Sequence, residues 1–504
     1  MLQQQEQRTQ KVSEAESGIV PTMEVALAET DIISTMDDLR RQLTFLKKAL
    51  LVGCTTAVGV VIFKLSIQET SKLFYEALAD LLPKPVFYWP QILYPVLGSS
   101  VVCVLTLIRG DVIRNGGIDK IAQSIDFDSD YKPTDQLLRT AAAVATLGSG
   151  CSLGPEGPSV ELGASLSRYF SANDTPRQKR HLFLAGTAAG VSAGFNSPVA
   201  GVFFAIECGN RFINKNTVKL ETEENTDGPR ADIAAIVLAA SVAKVVVELG
   251  LRESNALSIQ GNSFAMQSIF ELPLYLGLGV FSGLISTLFT SLLGFFTNLF
   301  DSNSISQNDA SQNDASQAQN LLKSIPVHLR PLLGGAVCGL AALYYPQTVF
   351  VGYATLDQLL AGKVHLPLDF LVQLLGLKIF LSSFSLGTGL IGGVFAPSLF
   401  FGAVAGTIYH DVVCSFLHAI DAALLSVDVH VNLPDIITLA SAPAYATVGA
   451  AATLGALFRA PLTATILMLE LTENHDIVLP VLMSSGLAGF TSSWSKEVLK
   501  SMKK

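Results

Sequence analysis

The stretch Gly148-Ser-Gly-Cys-Ser-Leu-Gly-Pro-Glu-Gly-Pro-Ser-Val-Glu-Leu-Gly-Ala164 places a carboxylate, Glu156, among glycines and prolines between two apolar segments. A charged side chain at the centre of a bilayer costs roughly 2.5–3.5 kcal/mol on insertion scales, so an intramembrane carboxylate is a functional hypothesis by default. Glycine and proline at this density interrupt a membrane helix. The stretch therefore predicts a broken membrane helix that carries a functional carboxylate.

The rest of the chain has the composition of a membrane protein. Of its 504 residues, 50% are hydrophobic and only 15% are charged, which is far from an ordinary soluble domain. Several runs lack Asp, Glu, Lys and Arg and reach the roughly 20 apolar residues that a helix needs to cross a bilayer. These runs are Pro85–Ile108, Leu182–Ile206, Leu272–Phe300, Pro331–Leu356, Ile379–Tyr409 and Ile436–Phe458, with shorter candidates at Ala49–Phe63, Ala234–Ala243 and Ile477–Trp494. We predict an all-α polytopic membrane protein.

The two halves of the chain share sequence motifs. The segments 195–207 and 458–470 each hold a phenylalanine, a proline three residues later and a glutamate twelve residues later, at an offset of 458 − 195 = 263. The segment Gly387–Ala403 matches the opening stretch at an offset of 387 − 148 = 239, at the positions of Gly148, Gly150, Gly154, Pro158, Ser159, Gly163 and Ala164. Two matches in the same order predict two inverted-topology repeats whose broken helices meet at the bilayer midplane.

Composition also sets the expected domain boundaries. Residues 1–45 are polar and acidic and predict a disordered tail, and residues 46–300 form the first membrane repeat. Residues 301–325, which hold Ser-Gln-Asn-Asp-Ala twice in tandem, predict a flexible linker. The second repeat spans 326–495, and 496–504 is a short basic tail.

The repeated breaks predict an anion site made of backbone. A helix that begins inside the membrane has unpaired N–H groups and the positive end of its dipole, and Pro158 and Pro397 suit a first helical turn. In front of such a terminus, the carboxylate of Glu156 imitates a permeant anion and acts as a gate. The alternative is that Glu156 lies in an exposed loop and only complements the dipole of the next helix. Glu207 and Glu470 are expected to cap or pair at the membrane edge, and Glu161 to pack or hydrogen-bond.

Other kinds of function find little support. The six cysteines are scattered without a CxxC pair, and the chain has no HExxH, Walker or G-x-S-x-G motif. We therefore expect no metal, no cofactor and no enzyme activity. The charge of −9 lies largely in tails and loops and indicates no nucleic-acid partner.

Three ordered motifs resemble those of the CLC family of chloride channels and anion/proton exchangers. Gly154-Pro-Glu-Gly-Pro158 resembles the family signature G-[KR]-E-G-P, Gly392-Gly-Val-Phe-Ala-Pro397 resembles G-G-x-[FY]-A-P, and the two Phe-x-x-Pro segments also match. Proline at 155 in place of the basic residue is similar to plant plastid-type and cyanobacterial-type members. The resemblance implies a homodimer in which each subunit has inverted halves and its own anion pathway.

The resemblance also implies roles for individual residues. Glu156 would be the gate, and the anion-binding positions would be Gly116, Gly117, Gly154, Gly157, Val394 and Phe395, the last two through backbone N–H groups. Gly116 stands where the family has a serine. Cys208 stands where exchangers of the family carry an internal proton-transfer glutamate, and the short end of the chain has no room for paired CBS domains.

The expected function is passive transport of chloride or other monovalent anions across a bilayer, by a voltage- or pH-gated channel with a glutamate gate. The alternative is a chloride/proton antiporter with a non-standard internal proton route. A membrane-embedded enzyme and a scaffold fit the duplicated motifs less well. The expected location is an integral multi-pass position in a chloroplast thylakoid or envelope membrane if the source is a plant or alga, and otherwise in the cell membrane.

Overall fold

The computed structural model describes residues 2–77, 90–114, 116–127, 133–212, 229–251, 266, 268–300, 325–425 and 439–501, with side chains in the first helix described from Thr35 onward. Within these ranges the chain is helical, apart from loops and one isolated pair of bridged residues. The predicted linker 301–325 lies outside the described residues except for its last position.

The helices fall into two series along the chain. The first series is α1 (Leu2–Lys72), α2 (Pro90–Arg114), α3 (Ile118–Phe127), α4 (Pro133–Gly148), α5 (Glu156–Phe170), α6 (Pro176–Phe195), α7 (Pro198–Phe212) and α8 (Pro229–Leu251). The second series is α9 (Leu272–Phe300), α10 (Arg330–Tyr344), α11 (Tyr353–Leu360), α12 (Leu368–Gly387), α13 (Phe395–Leu425), α14 (Ala442–Phe458), α15 (Pro461–Thr472) and α16 (Val478–Ser501). A π-turn, Leu73–Ala77, ends α1, and short 3₁₀ turns precede α9, α10 and α11.

Hydropathy confirms a membrane protein. In the described residues, 7 helical segments are long and apolar enough to cross a bilayer. They are Thr35–Glu76, Ile92–Gly110, Asp232–Leu251, Ile269–Phe300, Val327–Tyr344, Leu368–Gly387 and Phe395–Ala423. Three shorter apolar helical stretches, Pro198–Gly209, Ala442–Phe458 and Pro461–Thr472, lie between them in the fold.

Packing repeats between the two series, as a duplication requires. In the first series α5 packs on α6, α6 on α7 and α8, and α1 on α8. The equivalent contacts in the second series are α13 on α14, α14 on α15 and α16, and α9 on α16. Equivalent helices also meet across the halves, since α2 packs on α10 and α7 on α15. The predicted pair of repeats is confirmed in these contacts.

Glycine pairs bring two backbones together at the same place in each repeat. A Cβ on Gly163 would lie 2.1 Å from the carbonyl oxygen of Gly186, and a Cβ on Gly402 would lie 2.2 Å from that of Gly449. The offsets, 402 − 163 = 239 and 449 − 186 = 263, are those of the two sequence motifs. No side chain fits between these helices, so the small residues let α5 and α6, and likewise α13 and α14, approach closely.

Three of the predicted runs are not single spans because each contains a break: Leu182–Ile206, Pro331–Leu356 and Ile379–Tyr409, the last of which is divided between α12 and α13. The run Leu182–Ile206 is divided between α6 and α7, with Asn196 at φ 61° in the left-handed region before Pro198. Arg459 takes the same conformation, φ 50°, before Pro461. A left-handed C-cap followed by proline ends one helix and starts the next. The run Pro331–Leu356 is likewise interrupted after α10.

The first helix is longer than composition predicts. It begins at Leu2, inside the segment 1–45 expected to be a disordered tail, and the described part from Thr35 runs into the first membrane span without interruption. Phe45 is buried in a cluster with Ala49, Val52 and Leu182, so the packing of this helix begins just before residue 46. At the other end, α16 continues to Ser501, so the basic tail is helical over 496–501.

Glu207 and Glu470 each cap a helix of the other repeat. The carboxylate of Glu207, on α7, accepts hydrogen bonds from the backbone N–H groups of Leu462 and Thr463 at 3.0 and 2.7 Å. The carboxylate of Glu470, on α15, accepts from the N–H groups of Val199 and Ala200 at 3.0 and 2.9 Å. These donors have no partner inside their own helices. The predicted capping role is therefore confirmed, and it is reciprocal.

Glu470→Ala is expected to destabilise the protein, because it leaves two N–H groups at the start of α7 without an acceptor. Each orphaned donor costs about 1–3 kcal/mol. The melting temperature in detergent should fall below that of wild type, with Glu470→Gln, which keeps one carbonyl acceptor, between the two. Glu497→Ala, at an exposed position of α16, is the control. Equal melting temperatures for Glu470→Ala and Glu497→Ala would show that the cap contributes nothing.

Candidate functional site

Two glycine-rich segments, one from each repeat, meet at the start of α5 and of α13. The N–H of Gly154 donates to the carbonyl of Gly393 at 2.9 Å, and the N–H of Gly393 donates back to Gly154 at 2.6 Å. This antiparallel bridge is isolated, so it joins the segments at one point. A Cβ on Gly157 would lie 2.7 Å from the Cα of Gly393, and one on Gly393 would lie 2.5 Å from the nitrogen of Gly157. Glycine is therefore required on both sides.

Glu156 is the first residue of α5 and its side chain lies in the core. It is 1% exposed, so the alternative placement in an exposed loop is wrong. One carboxylate oxygen, Oε1, accepts a hydrogen bond from the hydroxyl of Tyr353. The other, Oε2, lies 2.5 Å from the position that a Cβ on Gly154 would occupy. Glycine at 154 thus leaves the space that the carboxylate fills.

The oxygen Oε2 of Glu156 points toward the start of α13. The same Cβ position on Gly154 is 3.2 Å from Ala396 and from Pro397, which belong to the first turn of that helix. The oxygen is buried, and the backbone N–H of Ala396 in that turn faces the carboxylate. A helix N-terminus carries unpaired N–H groups and positive potential. A negative group is thus located beside the positive end of a helix from the other repeat, as the gate hypothesis requires.

Phe395 lies at the centre of an aromatic cluster built from both repeats. Its ring centroid is 3.8 Å from that of Phe458, 5.4 Å from Phe204 and 5.9 Å from Phe195. Phe195 and Phe458 are the equivalent residues of the two Phe-x-x-Pro motifs. Val394, half-buried, precedes Phe395 and packs against a separate hydrophobic cluster. The two predicted anion-binding residues therefore have their side chains fixed in the core, while their backbone is at the N-terminus of α13.

Gly116 and Gly117 lie between α2 and α3, where the neighbouring side chain is an arginine. A Cβ on Gly116 would be 2.3–2.5 Å from the Cδ, Nε and Cζ atoms of Arg139, and one on Gly117 would be 3.7 Å from Oε1 of Glu161. Arg139 and Glu161 form a two-pronged ion pair at 3.1 and 3.2 Å. The space beside Gly116 is thus filled by a guanidinium, and Glu161 has the hydrogen-bonding role predicted for it.

Cys208 is buried on α7, one residue after the capping Glu207. Its thiol is 2% exposed and lies 3.8 Å from the carbonyl oxygen of Phe458. It belongs to the same hydrophobic cluster as Phe395 and Phe204. Cys208 is therefore a small thiol in apolar surroundings.

Glu156 lies on the wall of a cavity of about 870 Å³, which we call the vestibule. One wall is a face of α1 that carries Lys64 and Gln68, continued by Tyr75 of the π-turn, and the facing wall is the segment 346–355 with Tyr353. Tyr353 is 197 residues from Glu156 in the sequence, so no local sequence pattern predicts their contact. The wall formed by α1 could be predicted from the sequence. Lys64, Gln68 and Lys72 follow the apolar run that ends at Phe63, and their spacing places them on one face of a helix.

Lys378 is a buried cation that sequence reasoning also missed. Its side chain is 0% exposed on α12 and donates to the carbonyls of Thr348 and Phe350 at 2.9 and 2.7 Å. Its ammonium group is 5.2 Å from the ring centroid of Phe400. The N–H of Phe350 in turn donates to Gly150 at 3.1 Å. These bonds fix the loop that precedes α11 and so position Tyr353 over Glu156.

Tyr353→Phe is expected to raise the resting anion flux about tenfold. It removes the hydroxyl that holds Oε1 of Glu156, and a hydrogen bond to a charged group contributes about 1.5–3 kcal/mol. Flux of the purified protein in liposomes measures the effect. Tyr345→Phe, whose hydroxyl bonds Gln373 instead, is the matched control. In a Glu156→Gln background Tyr353→Phe should add little, and a Tyr353→Phe flux equal to that of wild type would contradict this positioning role.

Comparison with known sequences gives consistent matches over most of the chain. The profile of the voltage gated chloride channel family matches residues 98–493. The chain is 34% identical over 488 residues to chloride channel protein CLC-e of Arabidopsis thaliana, covering 94% of this chain and 63% of that protein. It is 33% identical over 408 residues to CLC-f of the same plant, covering 79% and 47%. The chain therefore spans less than two thirds of the length of these two relatives.

Bacterial relatives and a solved structure extend the comparison. The chain is 26% identical over 459 residues to the H(+)/Cl(-) exchange transporter ClcA of Salmonella paratyphi B, covering 88% of this chain and 84% of that protein. The crystal structure of a slow cyanobacterial Cl-/H+ antiporter superposes with a TM-score of 0.69 at 20% identity, covering 90% of this chain and 94% of the other. At this identity the superposition shows a common fold.

Proposed function

The chain belongs to the voltage gated chloride channel (CLC) family, whose members transport anions, and we propose that it is a passive chloride channel gated by Glu156. One observation carries the proposal. The carboxylate of Glu156 is buried beside the N-terminus of α13, where it faces the backbone N–H of Ala396. An anionic oxygen in that position stands in for a permeant anion.

The gate follows from competition for one position. While Glu156 is ionised and bonded to Tyr353, its carboxylate occupies the space in front of α13 and blocks an anion. Protonation of Glu156, or its rotation into the vestibule, frees that space for chloride, which the positive helix end then stabilises. Proton concentration and anion occupancy both bias the equilibrium, so gating by pH or by voltage is expected. Gly154, Gly157, Val394 and Phe395 supply the backbone of the site in this proposal.

Cys208 favours a channel over an exchanger. A carboxyl group is a strong proton donor and acceptor that can take up and pass on a proton, whereas a thiol is only a weak hydrogen-bond donor and acceptor. The thiol of Cys208 lies in the hydrophobic cluster that contains Phe395, beside the carbonyl oxygen of Phe458. Chloride movement is therefore proposed to proceed without coupled proton movement.

A chloride/proton antiporter is the second candidate, because a relative at 26% identity is named as an exchanger. That mechanism needs another carboxylate to carry protons between Glu156 and the opposite side of the membrane. Glu161 lies on the same helix as Glu156, and its side chain is 17% exposed in its pair with Arg139. It is the residue on which we place a non-standard proton route if exchange is observed.

Crossed gradients of chloride and pH in liposomes separate the two functions. For a channel, the reversal potential follows the chloride gradient and does not respond to an imposed pH gradient. A chloride gradient should drive no proton uptake above that of protein-free vesicles. Stoichiometric proton movement would overturn the channel proposal, and its loss in Glu161→Gln would identify the non-standard route.

Glu156→Gln is expected to abolish the pH dependence of chloride flux. Glutamine cannot ionise, so the side chain no longer competes with the anion as a charge, and flux at neutral pH should approach the level that wild type reaches in acid. The measurement is chloride efflux from liposomes over a range of pH. Glu497→Gln, at an exposed position, is the control and should titrate like wild type. An unchanged flux and an unchanged pH profile in Glu156→Gln would remove Glu156 from the gate.

Assembly and location complete the proposal. We propose a homodimer with one pathway in each subunit, as family membership implies, and no protein or metal cofactor. We retain a transport role over a membrane-embedded enzyme because the duplicated helix breaks converge on one carboxylate. The protein is an integral multi-pass membrane protein, and two relatives from a plant support the proposal of a thylakoid or envelope membrane.

A further inference from the structure

More positive than negative side chains line the vestibule. Among the described residues that line it, the charged ones are Lys64, Lys72 and Glu156. Lys72 is near the open end, with a side chain 57% exposed and paired with Glu69 at 2.7 Å. Lys64 lies two turns deeper on the same face of α1 and is only partly exposed. Glu156 lines the same cavity.

Lys64 is held by the C-terminal end of α6. Its ammonium group donates to the carbonyl oxygens of Ala193 and Gly194 at 3.1 and 2.6 Å. The C-terminus of a helix carries negative potential, which lysine offsets. This end also lies against the gate, since a Cβ on Gly194 would be 3.7 Å from the Cα of Glu156. Without a cation here, the negative end of α6 would face both Glu156 and an arriving anion.

The signature position next to the gate supplies no charge in this chain. Pro155 occupies the place of the basic residue in G-[KR]-E-G-P, and it lines the same vestibule as Lys64. The two positions therefore border one space, one from the segment before α5 and one from α1.

We propose that Lys64 is the anion-recruiting residue of the vestibule, which binds a small monovalent anion such as chloride beside Glu156 before the carboxylate leaves. This role rests on the proposed transport of chloride. Lys64 cancels the field of the α6 terminus and raises the local concentration of anions in front of the gate. The barrier at the gate itself belongs to Glu156 and Tyr353.

Chloride flux in liposomes at low ionic strength tests the role of Lys64. Lys64→Met is expected to raise the half-saturating chloride concentration about fivefold to tenfold, because one positive charge near the anion is lost. The maximal flux should change less than twofold, since the gate is intact. Lys64→Arg keeps the charge and should resemble wild type. Lys244→Met, on α8 and paired with Glu248 rather than lining the vestibule, is the matched control.

A second measurement compares wild type with Lys64→Met as the ionic strength is raised. An inert impermeant salt should raise the half-saturating chloride concentration of wild type and leave that of Lys64→Met almost unchanged, because screening removes only a charge effect that is present. If Lys64→Met does not yield a monodisperse protein, Lys64→Gln, which keeps a donor without the charge, takes its place.

The outcomes separate this inference from the proposed function. A wild-type protein that carries no chloride would overturn the function itself. A conducting wild type with an unchanged half-saturating concentration in Lys64→Met would overturn the role of Lys64 alone. A fall in maximal flux without a change in half-saturation would also overturn it, since that result indicates damage to the pathway rather than weaker recruitment.

Discussion

The structure depends on providing hydrogen-bond partners for the backbone at two helix ends that lie within the membrane. In the hydrocarbon core, each unpaired backbone N–H is costly, so a helix cannot begin there without an acceptor nearby. The bridge between Gly154 and Gly393 pairs two donors and two acceptors of the segments that lead into α5 and α13. Once these segments are joined, the first residue of α5 is brought to the first turn of α13. The position of Glu156 is therefore a consequence of how the two breaks stabilise each other.

Close packing of small residues supports this junction from behind. Gly163 against Gly186 and Gly402 against Gly449 allow the helices that start at the breaks to lie on their neighbours with backbones in contact. Larger side chains there would move α5 or α13 by more than the bridge between the glycine segments tolerates. The placement of α5 and α13 at the site therefore depends on glycines that lie away from it.

The sequence revealed features that depend on local chemistry or on repetition. Apolar runs located the membrane helices, and the repeated motifs gave the duplication and Glu156, because a helix break needs particular residues at particular spacings. The carboxylates Glu207 and Glu470 were also assigned correctly. Features created only by the fold were missed, including the Tyr353 contact with Glu156 and the anchoring of Lys378. Arg139 against Gly116 belongs to this class, because the glycine shows only that space exists and not what fills it.

The reciprocal caps of Glu207 and Glu470 form an isologous contact inside a single chain. If the two repeats were separate molecules, each would present the same carboxylate to the same helix terminus of its partner, as in a two-fold symmetric homodimer. Such a contact is available to a half-length protein before any gene fusion. It also sets an order on membrane insertion, since the start of α7 is without its acceptor until α15, near the end of the chain, has been synthesised. The first repeat therefore completes its own backbone hydrogen bonding only when the second arrives.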